Sequence, residues 1–161
     1  MPEDNIENPA ENTENTIKEK YLIFTVNDKR YALPSKIISE VAALEKVFPL
    51  PLVPEYVRGI INRYSVPYAL IDLSFLLVNA VSDAQKVIVL KEDVDKIALL
   101  IDDVVDIADF PAEALMGIEQ EEKTLAGSVN AYFEWKGHHI LCIETGELIN
   151  RIKLDFEQQE A

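Results

Sequence analysis

The sequence predicts a mostly β fold, a barrel or sandwich of roughly eight to ten short strands. Three observations point there. Short apolar runs rich in Val, Ile, Tyr and Phe recur along the chain, turn-forming residues separate them, and helical periodicity is scarce before the C-terminal segment. No short-period repeat suggests a solenoid or propeller.

The elements follow in order. Residues 1 to about 18 hold five acids and four asparagines, with no aromatic residue and no base before Lys18. Such a segment buries almost nothing and reads as a disordered acidic tail, leaving 19–161 as the folded domain. "YLIFTV" and "RYALP" flank Asn27-Asp28-Lys29 at hairpin distance. "SKIISEVAAL" fits either a short helix or a strand. "VFPLPLVP" carries three prolines, so it reads as an irregular or edge segment. "PEYVRG" can form one helical turn, with Pro54 early and Gly59 ending it. "GIIN" and "VPYALIDL" read as strands on either side of Arg63-Tyr64-Ser65, and "SFLLV" as a helical turn. "KVIVLK" and "KIALLIDDVVDIADF" read as strands joined by the charged turn "EDVD". "PAEALMGIEQEEK" reads as a loop or a turn of helix. "LAGSVNAYFEW" and "HHILCIE" make a hairpin across Lys136-Gly137. At the end, Leu148, Ile149, Ile152 and Phe156 fall at helical spacing and predict an amphipathic helix.

Composition narrows the function classes. The 161 residues carry a net charge of −14, which disfavours nucleic acid and anionic membrane as main partners. No apolar run approaches the roughly 20 residues that span a bilayer, and the N-terminus lacks the features of a signal peptide. With one cysteine there is no intramolecular disulfide framework. The expectation is a cytoplasmic protein without direct membrane insertion.

Catalytic constellations are hard to find. His138 and His139 are adjacent, so on a strand they face opposite ways and do not readily share a metal. Cys142 lies in the apolar run "ILCI", where a thiol is normally inert. Asp102 and Asp103 are neighbours, a poor arrangement for two carboxylates serving one substrate. No Gly-rich phosphate loop is present, and "EQEEK" lacks the spacing of a calcium loop. The reading is a protein that is not an enzyme, with no catalytic, cofactor-binding or metal-binding residues and no cofactor.

The segment "GIINRYSVPYALIDL" resembles the signature of the CheW-like family, the coupling proteins of bacterial chemotaxis, which reads roughly G-V-I-N-L-R-G and then P-V-I-D-L. Gly59, Ile60, Ile61 and Asn62 match its start, and Leu70, Ile71, Asp72 and Leu73 its end. Upstream, Phe24, Tyr31, Ala32, Leu33, Pro34, Ile38, Glu40 and Val41 align with the family's opening. "VFPLPLVPEYVRG", "LLIDDVVDI" and the closing hairpin are similar to further family segments, so the resemblance runs in register over about residues 20 to 156.

The resemblance implies a CheW-like fold: two five-stranded, SH3-like β-barrel subdomains with short helices and a C-terminal helix. It also implies a non-catalytic adaptor. Its partners would be the regulatory domain of a CheA-type histidine kinase and the cytoplasmic tip of chemoreceptors. Ile38, Glu40, Gly59, Asn62, Val87 and Val89 fall at or near positions on the family's receptor and kinase surfaces, and Arg63 and Tyr64 form the adjoining turn. Asn62, Asp72 and Asp102 also suit plain turn chemistry.

The same segment departs from the family. Tyr64-Ser65 stand where the family has Arg-Gly, Arg63 where it commonly has leucine, and Ala69 where it has proline. Tyrosine lacks the planar fork of donors that a guanidinium offers. Ser65 in place of glycine implies a different turn or some strain. The alternative reading is therefore a divergent CheW-like binding module in another pathway, such as pilus-based motility or an unusual receptor class.

Overall fold

A computed structural model describes residues 17–118 and 128–160. Its strands are β1 (Lys18–Val26), β2 (Lys29–Pro34), β3 (Ile38–Ala43), β4 (Val57–Arg63), β5 (Val66–Asp72), β6 (Lys86–Leu90), β7 (Ile97–Ile101), β8 (Asp103–Pro111), β9 (Met116–Gly117), β10 (Val129–Trp135) and β11 (His138–Ile143). Helix α1 spans Leu73–Val78 and helix α2 spans Thr145–Glu160. Only Ile17 and Lys18 of the expected tail fall within the described residues, and Lys18 already begins β1. The acidic run 119–123 lies outside them.

Two sheets divide the strands. One runs β8-β1-β2-β11-β10-β9 and the other β3-β6-β7-β5-β4. The chain begins in the first sheet, builds the whole second sheet, and returns. The fold is mostly β, with six and five strands in place of the five and five that the resemblance implies; the extra strand is the two-residue β9. Among the described residues, backbone pairing leaves both sheets open at their edges.

Strand alternation explains the core. On β6, Ile88 and Leu90 join a central cluster with Leu22, Phe24, Leu33, Ile71 and Leu99. Val87 and Val89 point the other way, into a cluster with Ile61, Tyr68, Leu70, Ala98 and Leu100. A third cluster, with Tyr21, Ile23, Phe110, Phe133 and Ile140, covers the other face of the six-stranded sheet. The central strands are thus buried on both faces, which is why "KVIVL" and "IALLI" read as continuous apolar runs.

Helix α2 packs on the central cluster. Leu148 and Ile152, one turn apart, are buried there, and each contributes roughly 1.5–3 kcal/mol through burial. Asp155 on the same helix accepts a 2.6 Å bond from the Tyr56 hydroxyl. Lys153 reaches Asp95 at 3.2 Å. A helix that follows the six-stranded sheet in sequence is thereby fastened to loops of the five-stranded one.

Three β-hairpins share one design. Asn27 and Asp28, Tyr64 and Ser65, and Lys136 and Gly137 all have positive φ between paired strand ends. Two consecutive left-handed residues give the turn whose twist suits a two-residue hairpin.

Two local expectations are corrected, and one left open between helix and strand is settled. "PEYVRG" forms a turn closed by Val57 N–H on the Pro54 carbonyl (2.9 Å), after which Val57 pairs with Ile71 and the chain is strand, because ladder pairing outweighs a single helical turn. "KIALLIDDVVDIADF" is two strands that belong to different sheets, with Asp102 at the bend between them. "SKIISEVAAL" resolves into a 3-10 turn, Ser35–Ile37, followed by β3.

Candidate partner-binding surface

The β4–β5 turn and the edge of β3 form one built surface. Arg63 follows Ile61 by two residues on β4, and Glu40 precedes Ala42 by two on β3. Both side chains are therefore directed toward the mouth of the cluster that Ile61 and Ala42 help to fill. The Arg63 guanidinium donates from Nε to Glu40 Oε2 (3.0 Å) and from Nη2 to Glu40 Oε1 (2.9 Å). Glu45 Oε1 lies 3.7 Å from Nη1. The hydrogen bonds to Glu40 are the main reason the Arg63 pKa is pushed above its ordinary value. The Tyr64 ring covers the same guanidinium, 5.3 Å from Cζ, while remaining 83% exposed itself.

Beside this pair lies a groove of about 210 Å³ lined by Ala43, Glu45, Lys46, Phe48, Ile61, Asn62 and Arg63. Its far wall is the strap 44–52, which runs from β3 along the outer edge of β4. Phe48 and Ile60 exchange two backbone hydrogen bonds of 2.8 Å and fix the strap to the sheet. Gly59 makes that approach possible. Its φ is +140°, and a Cβ there would sit 2.3 Å from the Phe48 carbonyl oxygen.

A CheW-like domain profile matches residues 20–153. The chain belongs to the CheW-like domain family. No curated protein matches it by sequence. Among solved structures it is similar to the scaffolding protein TtCheW from Thermoanaerobacter tengcongensis. The identity is 18%, the match covers 79% of this chain and 84% of that one, and the TM-score is 0.71.

Within this CheW-like domain the sequence-derived candidates separate into three groups. Glu40, Asn62, Arg63 and Tyr64 come together at the turn and groove. Ile38 does not join them. The extra residue Ser39 forms a bulge, so Ile38 pairs with Leu90 and packs on the central cluster, whereas Glu40 pairs with Val89. Gly59, Val87 and Val89 are buried and offer no side chain to this surface. Arg63 holds the acid of its own chain, so Glu40 is half-buried and paired within the molecule.

Two aspartates of the CheW-like motifs serve the backbone. Asp72, 1% exposed, accepts from Phe75 N–H at the start of α1 (3.3 Å), from Ser82 N–H (3.0 Å) and from Arg58 Nη1 (3.2 Å). Asp102 Oδ2 accepts from Asn27 N–H at 2.8 Å and so braces the first hairpin.

The remaining reactive side chains are dispersed. His138 Nδ1 lies 3.0 Å from Arg30 Nη1, and His139 Nε2 lies 3.1 Å from Glu134 Oε2. Burial pushes the Cys142 thiol up to about 12. Among the described residues, no three His, Cys, Asp or Glu side chains gather to hold a metal, and no helix is long and apolar enough to cross a membrane.

Sequence reasoning missed Glu45 and Phe48. Phe48 reads there only as an apolar residue of a proline-rich link. Glu45 reads as one acid among many, and nothing local signals that it reaches Arg63.

Proposed function

We propose that the protein is a non-catalytic adaptor that couples chemoreceptors to a CheA-type histidine kinase. The observation that carries the reading is the CheW-like match over residues 20–153, together with an exposed turn held rigid beneath Tyr64. A protruding aromatic on a fixed hairpin is the kind of anchor on which protein interfaces concentrate their energy. Asn62 and Tyr64 present the contact, while Glu40 and Arg63 set its geometry. Ile38, Gly59, Val87 and Val89 support the strands behind it. The working location is the cytoplasm, against receptor tips.

A specific observation favours a second reading, a CheW-like module serving another pathway. The turn's arginine is taken up by Glu40 and Glu45, so the surface presents a tyrosine where a free cation would recruit an acidic partner.

Calorimetric titration with the regulatory domain of a CheA-type kinase from the same organism decides between them. Affinity in the micromolar range, weakened about tenfold or more by Tyr64→Ala, supports the coupling role. No binding by well-folded protein to either that domain or a receptor-tip fragment overturns it and moves the assignment to the second reading.

A further inference from the structure

Arg30 is the exception among the arginines. The chain carries 29 acids against 15 lysines and arginines, and three of its four arginines hold a carboxylate: Arg58 on Asp72, Arg63 on Glu40 and Arg151 on Asp155. Arg30 pairs with no carboxylate among the described residues. Its Nη1 lies 3.0 Å from His138 Nδ1, and its Nε is buried without a hydrogen-bond partner. A buried N–H of a charged group left unmade is costly, and such a donor normally meets water or an ion.

This guanidinium borders a cleft of about 290 Å³ lined by Asp28, Lys29, Arg30, His138, His139 and Leu141. Strand topology opens it. β2 and β11 pair in parallel only at Tyr31↔Leu141 and Ala32↔Cys142, so the first residues of both strands lie beyond the ladder and line the gap between them. Lys29, like Arg30, has no carboxylate partner among the described residues.

We propose that this cleft binds a phosphate group, free or carried by a small organic ligand. Arginine only donates, so His138 Nδ1 accepts and the ring proton sits on Nε2, a further donor. Arg30 Nε, that N–H and the Lys29 ammonium together suit an anion with several terminal oxygens. The lining sets two full positive charges against one, Asp28, while Glu134 is taken up by His139 at 3.1 Å. The net charge of −14 counts for little here, because at physiological salt a charge reaches only about 8 Å. The volume falls at the small end of ligand pockets, roughly 300 Å³, which suits a phosphate and a few further atoms and not a nucleotide. The cleft belongs to the six-stranded sheet and the Tyr64 turn to the five-stranded one, so the assignment does not rest on the coupling role.

The test is an NMR titration of the full chain with inorganic phosphate and with glycerol phosphate, using acetate and chloride at matched ionic strength as controls. Saturating shifts are expected at the Arg30 Nε–H and at the amides of 28–31 and 138–141, with half-saturation at about 1 mM or below. Tighter binding of glycerol phosphate supports an organic ligand, and equal or tighter binding of inorganic phosphate supports the free ion. Arg30→Lys keeps the charge without the fork of donors and is expected to bind roughly fivefold more weakly. Lys29→Gln, at an exposed side chain, is expected to bind about threefold more weakly and decides the matter if Arg30→Lys does not fold. The proposal is overturned by no saturation up to about 20 mM, by shifts confined to other surfaces, by an equal response to acetate, or by unchanged affinity in the folded variants.

Discussion

Glu40 and Arg63 join the two outer strands of the five-stranded sheet by a two-point ion pair, with donor–acceptor distances of 3.0 and 2.9 Å. The strands they belong to share no backbone ladder, so this pair and the 44–48 strap bridge the two edges over the cluster that Ile61 and Ala42 help to fill. The side chains are 19% and 25% exposed, between the limits of a solvated pair and a dry one. A double-mutant cycle of Glu40→Gln and Arg63→Met is expected to give a coupling of about 1–2 kcal/mol by urea denaturation. A coupling near zero would show that the strap and the apolar cluster between the strands hold the edges without it.

Gly59 gives the sharpest structural prediction. A methyl group at this position would meet the Phe48 carbonyl at 2.3 Å, and backbone cannot swing aside as a flexible side chain can. Gly59→Ala is therefore expected to destabilise by roughly 3 kcal/mol or more, by forcing the strap off β4 or distorting the bulge at Arg58. Hydrogen exchange separates this from general weakening. The amides of Phe48 and Ile60 should lose protection first, because they form the bridge that the methyl displaces.

Fold class was legible because its signals are local. Asn27-Asp28 and Lys136-Gly137 are ordinary left-handed turn pairs, and the doubly buried β6 and β7 announce themselves as unbroken apolar runs. The site was legible only in part. Ile38 and Glu40 sit two apart and read as one surface, but the bulge at Ser39 separates their faces, and bulges leave no reliable mark in sequence. Likewise, the partner of Arg63 is Glu40, 23 residues away and across two strand edges. Long-range pairing of this kind is a property of the closed sheet and not of either segment.

The Tyr64-Ser65 turn keeps the backbone that glycine would favour without using glycine. Both residues have positive φ, 53° and 68°, which costs a non-glycine residue roughly 1–2 kcal/mol. Ser65→Gly is expected to stabilise the protein by about 0.5–1 kcal/mol and to leave the Arg63↔Val66 register unchanged. Thermal melting measures the first, and cross-strand NOEs between Arg63 and Val66 measure the second. A loss of stability would mean that the Ser65 side chain makes a contribution that its exposed position gives no reason to expect.

Alkaline pH should weaken the fold, beginning at Cys142. Burial is the main cause that pushes its thiol from 9.0 to about 12, and burial likewise pushes the neighbouring Tyr21 hydroxyl from 10.0 to about 12. Both groups stay protonated in the folded state after the unfolded chain has begun to lose these protons. Their contribution is therefore complete below about pH 9 and is lost as pH rises toward 12. The loss is roughly 1.4 kcal/mol per pH unit for each group once its unfolded form has ionised. The urea midpoint is expected to be flat from about pH 7 to 8.5 and to fall above 9. In Cys142→Ala the decline should begin nearer 10, where the Tyr21 phenol takes over. The same burial makes the thiol unreactive: alkylation by iodoacetamide at pH 8 should proceed at the rate of unfolding and not at that of a free cysteine. Rapid labelling of folded protein would place Cys142 in contact with solvent and remove the basis for its raised pKa.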